Sequence, residues 1–207
     1  MELSEILNQI KSIDDILPGH LPGYFFPKLM ELGHLRIEPF SPASLGNICY
    51  YLHFNNKFRK PIKNNEQINL LSKDSIESAF EPYKEMESYA LEPGKSVIAQ
   101  SYEKIGISEM LFCKLENSSA LGRVFLNHAS HGFIHPGHGI NEPINIMIEL
   151  TNLGEKPVNI MPAYQEDEII KGPEAFRLYI EKLSYPASDY KSISSIPKLK
   201  MDNKDKS

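Results

Sequence analysis

The stretch LEPGKSVIAQSYEKIGISEMLFCKLENSSALGRVFLNHASHGFIHPGHGINEPINIMIEL, residues 91–150, decides the fold class. Within it the apolar or alternating runs at 96–101, 110–115 and 144–150 are too short for helices and rich in Val, Ile, Leu and Phe, the pattern of strands that lay one face on a core. Pro and Gly punctuate the intervals between them, as expected where a chain reverses repeatedly.

Working outward, runs of the same kind lie at 48–54, 158–161 and 176–183, and a strand-like segment at 35–40 is ended by Pro39 and Pro42. Many short, punctuated strands predict a mainly β protein, a sandwich or barrel. Two helices precede them. Leu3, Ile6, Leu7, Ile10 and Ile13 recur at helical spacing until Pro18-Gly19, predicting an amphipathic N-terminal helix packed on the body of the domain. A second short helix is expected at 27–32, closed by Gly33. Residues 55–89 are polar and read as an excursion with some helix, whereas 201–207 is a charged tail expected to be disordered. Residues 1–200 are expected to form one domain, without internal repeats.

The 207 residues are 41% hydrophobic and 24% charged, enough for one good core. A formal net charge of −5 without a Lys/Arg stripe argues against a long nucleic-acid footprint and leaves room for a small phosphate pocket. Cys49 and Cys113 sit in apolar surroundings without metal or disulfide spacing, which predicts two reduced, buried thiols and a cytoplasmic protein. Residues 1–16 lack a basic leader, and no segment approaches the about 20 apolar residues a bilayer span needs, so neither secretion nor a membrane is expected.

Several segments, in order, resemble the dCTP deaminase family, which shares its fold with trimeric dUTPases. Residues 32–40 resemble the family's helix exit and first strand, and 91–101 its L-x-P-G-x-x-x-L-A-x-T strand. Residues 115–126, with Ser118-Ser119 and Arg123, resemble the phosphate-contacting E-G-R-S-S-L-G-R motif. His131-Gly132-Phe133-Ile134-His135-Pro136-Gly137 stands where the family has A-G-x-I-D-P-G; residues 146–152 parallel I-x-L-E-x-x-N, and 182–187 the L-S-x-P-A that follows the last long strand. The resemblance implies a distorted jelly-roll β-barrel, a homotrimer with sites built from more than one chain, and a substrate that is dCTP with Mg²⁺ on its triphosphate, deaminated without zinc. Some family members also cleave dUTP to dUMP.

Hydrolytic deamination needs a base that activates water and an acid that protonates departing ammonia, and one carboxyl group can serve both steps. The family match gives that role to Glu149. Strand alternation offers the plainer alternative of a carboxylate on an exposed face. Ser118 and Ser119, if they open a helical turn, offer hydroxyls and N–H groups to a phosphate, with Arg123 adding charge; the alternative is an ordinary N-cap beside a surface arginine. The sequence also departs from the pattern. Asn117 or Ser118 replaces the family arginine before the serines, and His135, expected near the sugar, replaces the aspartate, which argues against dUTP hydrolysis. Residues 46–51 lack the family's Q-P-x-S-x-D, the late G-x-x-I-G-Q-L element is interrupted by 165–173 with Arg177 near its glutamine, and no nucleotide-covering tail motif is recognisable.

Four of the seven histidines, His128, His131, His135 and His138, fall close together with Glu142 nearby. Their H-x2-H and H-x3-H spacings are used by zinc sites, so Zn²⁺ binding is a competing expectation; surface or interface imidazoles are the simpler one. Tyr50-Tyr51 and Phe25-Phe26 read as core or interface residues rather than base-stacking platforms. The leading expectation is therefore a dCTP deaminase-like hydrolase acting on a deoxyribonucleoside triphosphate. A non-catalytic, nucleotide-binding or regulatory relative is the alternative from another class.

Overall fold

The computed structural model describes residues 3–128 and 132–187. In chain order the helices are α1 (Leu3–Gln9), α2 (Phe26–Glu31), α3 (Lys73–Glu77) and α4 (Ser119–Arg123). The strands are β1 (Gly19–Leu21), β2 (Leu35–Glu38), β3 (Tyr50–His53), β4 (Lys57–Phe58), β5 (Lys84–Glu85), β6 (Tyr89–Leu91), β7 (Ser96–Ile107), β8 (Leu111–Asn117), β9 (Leu126–His128), β10 (Gly132–Ile134), β11 (Ile144–Asn152), β12 (Val158–Ile160), β13 (Tyr164–Glu166), β14 (Ile169–Lys171) and β15 (Glu174–Lys182). The expected mainly β class is what the chain adopts.

The strands form a five-stranded sheet, in which β15 lies between β8 and both β1 and β3, and a four-stranded sheet ordered β2-β7-β11-β9, with three two-stranded ribbons. Among the described residues neither sheet closes on itself as a barrel. The chain crosses between the sheets just after β3. Tyr50–His53 pairs with β15 of the first sheet, whereas Phe54 and Arg59 bridge to Ser101 and Ile98 of β7 in the second. One continuous core fills the space between them, including Leu52, Phe54 and Phe176 with Ile105, Ile148 and Leu150.

Period-two burial positions the site. In β11, Ile148, Leu150 and Asn152 are buried while Met147 is exposed and Glu149 and Thr151 are half-buried, so the carboxylate points away from the core. Irregular pairing lies nearby: from Asn145↔Lys104 to Met147↔Gln100, β7 takes four residue steps where β11 takes two. The surplus residues, Ser101 to Glu103, carry a buried polar seam. Glu103, wholly buried, accepts from His53 Nδ1 at 2.7 Å and from the His53 backbone N–H at 3.0 Å. Ser101 Oγ donates to the Glu103 carbonyl at 2.6 Å and accepts from Ile146 N–H at 2.8 Å, and Asn145 Nδ2 donates to the Ser101 carbonyl at 2.8 Å. Side chains thus replace the ladder bonds that the bulge removes.

Two local expectations change. The N-terminal helix ends at Gln9 rather than running to Pro18, because Ser12 and Asp15 form a capping box that starts a separate turn at Ile13–Asp15. The apolar periodicity continues through both pieces: Ile10, Ile13 and Ile16 are the buried members, and no residue of α1 is buried. The strand expected at 96–101 extends to Ile107. The second helix ends as expected, with Gly33 at φ +76° and the His34→Leu29 and Gly33→Met30 backbone bonds of a Schellman motif. The 55–89 excursion holds α3 and the β4–β5 ribbon. The charged tail at 201–207 lies outside the described residues.

Tyr50, fully buried, accepts the Ser41 N–H at 2.9 Å, and burial pushes its phenol up to about 12. In the unfolded chain a tyrosine ionises near 10, so its contribution to stability is complete below pH 10 and lost as pH rises through 12. Denaturant titrations should show roughly 2–3 kcal/mol of stability disappearing over that interval on Tyr50's account, and Tyr50→Phe should flatten the alkaline slope.

Candidate functional site

Glu149 stands directly across from Ile98 of β7 on the outer face of the second sheet. The excursion folds over that face, and Pro61, Ile62, Ala79 and Phe80 wall a cavity of about 370 Å³ with Ile98, Ser96, Thr151 and Glu149. The carboxylate is consequently half-buried. Ser96 and Thr151 share a hydroxyl hydrogen bond of 2.8 Å on the same wall. The half-buried His128 ring, 5.4 Å from the Phe176 ring, is held below the usual imidazole range by burial, with Glu149 pulling it back upward. Glu149 thus acts electrostatically on a histidine of the adjacent strand.

The serine pair lies at a different place. Ser118 is the N-cap of α4, extended at ψ 159°, and its buried hydroxyl accepts from Leu121 N–H at 3.4 Å. Its own N–H donates to Ala175 O at 2.9 Å. Ser119 and Arg123 are exposed. The helical turn expected of the pair is present, and with it the capping role of Ser118. Arg123 lines a second, more open cavity of about 650 Å³ with Phe125, Leu153, Glu155 and Lys156. Phe125 presents a 66% exposed ring from a backbone at φ +56°, a conformation that non-glycine residues adopt at an energetic cost. The facing loop is tied by Asn152, which is wholly buried, donates to Leu91 O at 2.8 Å and Lys156 O at 2.9 Å and accepts from Gly154 N–H at 2.9 Å. Glu149 and Arg123 therefore line different cavities with no residue in common.

Asn117, which with Ser118 was expected to take the place of the family arginine, donates through Nδ2 to Leu126 O at 3.2 Å, but its Oδ1 is buried without a donor. His135 is exposed just after β10, and its carbonyl accepts from His138 N–H at 3.1 Å in a turn that uses Gly137 at φ +81°. The carbonyl of His138 accepts from Ile107 N–H at 2.8 Å, while its Nε2 is buried without a partner. His131 lies outside the described residues. Among the described residues no three His, Cys, Asp or Glu side chains converge as metal ligands. Cys49 and Cys113 are buried and not joined to each other, and burial raises both thiols.

The sequence match falls on these same elements. The dCTP deaminase-like family model matches residues 21–164, and the chain belongs to that family. Similar curated proteins include the dCTP deaminase, dUMP-forming, of Streptomyces griseus, 28% identical over 137 residues, 64% of this chain and 69% of that one. That of Salinispora tropica is 30% identical over 138 residues, 64% and 68% of the two chains. That of Mycolicibacterium vanbaalenii is 28% identical over 169 residues, 79% and 80%. Among solved structures, the 2'-deoxycytidine 5'-triphosphate deaminase of Agrobacterium tumefaciens superposes with a TM-score of 0.59 at 12% identity over 80% of this chain, a likeness of fold. The match covers 49% of that longer chain.

Sequence patterns did not single out Phe80, Phe125 or Lys156. Phe80 sits in the polar excursion, whose fold over β7 and β11 comes from long-range contacts.

The loop lining the Arg123 cavity depends on Asn152. Asn152→Ala should lower unfolding stability by about 3 kcal/mol, since it leaves buried backbone groups unpaired. Chemical denaturation measures this directly, and the cavity wall at 153–156 should gain hydrogen-exchange rate in the same variant.

Proposed function

We propose that the protein is a dCTP deaminase-type hydrolase, with Glu149 as the group that moves both protons. The observation that carries this is the half-buried carboxylate in a cavity under the excursion, on a strand that lies within the matched residues 21–164 and whose sequence resembles the family's glutamate-bearing element. The substrate is the Mg²⁺ complex of dCTP, the metal arriving on the triphosphate. Glu149 takes a proton from water as the oxygen bonds to C4 of cytosine, and passes it to N3. It then takes the proton of the new C4 hydroxyl and delivers it to the amino nitrogen. The C4–N bond breaks, ammonia leaves and C4 becomes a carbonyl, giving dUTP.

Arg123, with Ser118 and Ser119 at the start of α4, binds phosphate, and His135 lies by the sugar. Because Arg123 and Glu149 belong to separate cavities of one chain, a complete site unites them from neighbouring copies. That reasoning supports a homotrimer of jelly-roll subunits, as the resemblance implies. The relatives named dUMP-forming release a product one step further on. His135 in place of an aspartate argues that this chain stops at dUTP.

A second role is favoured by one observation: neither Asn117 nor Ser118, either of which takes the place of the family arginine, carries charge, and Asn117 leaves Oδ1 buried and unpaired. A chain without that cation would bind the nucleotide and regulate rather than turn it over. No convergence of described histidines supports the zinc alternative, which metal analysis of the purified protein tests.

The deciding assay is ammonia release from dCTP with Mg²⁺. Wild type should release ammonia and dUTP, and Glu149→Gln, which keeps the shape and removes the acid/base, should lose at least about a hundredfold in kcat. No ammonia from wild type under conditions where a control deaminase works would overturn the enzymatic role; a rise in Tm with Mg²⁺ and dCTP would then support the binding role. Light scattering after gel filtration should give three times the mass of the chain, and a monomer retaining full activity would sink the shared site.

A further inference from the structure

Phe125 holds a backbone conformation that its own side chain makes unfavourable. α4 ends at Arg123, Val124 caps it, and Phe125 follows at φ +56°, the left-handed position after a helix that glycine or asparagine usually takes. A residue with a Cβ is strained there and glycine is not. Burial does not offset the strain, because the ring is 66% exposed. Strain of this kind persists at ligand clamps and active sites, where the side chain serves something other than stability.

The ring lines the cavity of about 650 Å³ that Arg123 and Lys156 also line. Phe125 N–H donates to Gly122 O at 3.2 Å, and its carbonyl accepts from Leu153 N–H at 3.0 Å, which ties the end of α4 to the loop that carries Lys156. Gly154 lets that loop come close: a Cβ there would lie 3.1 Å from Val124 O and 3.6 Å from the Phe125 Cβ. Arg123, Phe125 and Lys156 therefore stand on one bonded unit, to which Asn152 adds its bonds to Lys156 O and Gly154 N–H. The lining carries these two cations against one carboxylate, Glu155. The Glu149 cavity has the opposite balance, with Glu66 and Glu149 and no Lys or Arg among its described lining residues. A polyanion is thus favoured in the first cavity and opposed in the second. Val124, Leu153 and Val158 make much of the remaining wall apolar, a surface that phosphate alone would not use. The cavity fits an anion that also carries a ring, and its volume lies within the range of small-ligand sites.

We propose that Phe125 is a nucleotide-binding residue: its exposed ring stacks on the base of a nucleotide whose phosphates lie on Arg123 and Lys156. Every base has a π-face, so stacking adds affinity without hydrogen-bond readout. A glycine at 125 would relax the turn and leave the base without that platform, so the strain is the condition for presenting the ring to the cavity. The inference rests on the phosphate-binding part of the reading above and holds whatever Glu149 does. Where a neighbouring copy completes the site, Phe125 covers one face of the base and leaves its edge to the carboxylate.

The test is isothermal titration calorimetry of the full chain with dCTP and, separately, with inorganic tripolyphosphate, both in the presence of Mg²⁺. Phe125→Gly removes the ring and suits the backbone. It should weaken dCTP binding by about tenfold to a hundredfold and leave the tripolyphosphate Kd within about twofold of wild type, with a Tm equal to or above wild type. Phe125→Tyr keeps a ring and should hold the dCTP Kd within about threefold. An unchanged dCTP Kd in Phe125→Gly, beside intact tripolyphosphate binding, overturns the proposal and leaves the phosphate reading standing. Equal weakening of both ligands would make the ring a support for the two cations, and overturns it as well. So does a fall in Tm, or in the mass given by light scattering, which would assign the ring to folding or to contact between copies. If wild type binds neither ligand, the phosphate reading falls and the proposal with it.

Discussion

A carboxylate with no exposure to water holds the two sheets in register. Glu103 projects from the irregular part of β7 into the core and survives there because His53, on a strand of the other sheet, meets one oxygen with its ring and the other with its backbone N–H. Desolvating a carboxylate is so unfavourable that the group specifies where its partner must be. Hydrophobic burial around Leu52, Phe54 and Phe176 would tolerate small shifts of one sheet on the other; a buried, doubly bonded carboxylate does not. The crossing of the chain from β15 to β7 follows directly, since His53 sits at the last residue of β3, one position before Phe54 joins the second sheet.

That crossing creates the site. Phe54 and Arg59 bridge to the N-terminal half of β7, and the excursion that follows lies over the outer face of the same sheet. An antiparallel sheet commonly leaves such a face to solvent. Here Pro61, Ile62 and Phe80 cover it, and a glutamate that alternation alone would expose becomes half-buried in an apolar cavity. Arg59 anchors the cover by binding two carbonyls and one carboxylate of its far side. The core and the site are therefore linked through a few residues of backbone between His53 and Arg59.

How much of this could be read from sequence depends on the range of the forces involved. Strand existence at 96–101, 110–115, 144–150 and 176–183 was legible because burial of one face writes a period of two into the residues themselves. The end of α1 was not, since Ile10, Ile13 and Ile16 keep the apolar spacing while Ser12 and Asp15 turn the backbone; a local capping box outweighed the periodicity. The short strand β1 left no signal because its pairing is set by a distant partner, and β13 and β14, a local hairpin of three-residue strands, are too short to write a period into the sequence. Within the site, Glu149, Ser118 and Arg123 were legible through motif resemblance. The cavity over Glu149 was not, because its wall is a polar segment whose position depends on the crossing after β3.

The departures from the family pattern bear unequally on what the protein can do. Asn117 or Ser118 in the place of the family arginine removes charge before α4, but the second cavity is lined by Arg123 and by Lys156, on a loop that Asn152 bonds. Anion binding depends on the summed field of a site more than on one residue, so the proposed phosphate recognition keeps a basis in Arg123 and Lys156. Substitution of an aspartate by His135 is different in kind: an exposed imidazole on a turn does not supply the permanent negative charge that an aspartate would bring to a water or a sugar hydroxyl. The proton transfers proposed at C4 pass through neither of those groups but through a carboxyl beside a wall that keeps it partly dry; the missing cation is what the alternative binding role rests on. Around Glu149 a half-buried carboxylate and an apolar wall are in place, and the proposed deamination rests on those two features.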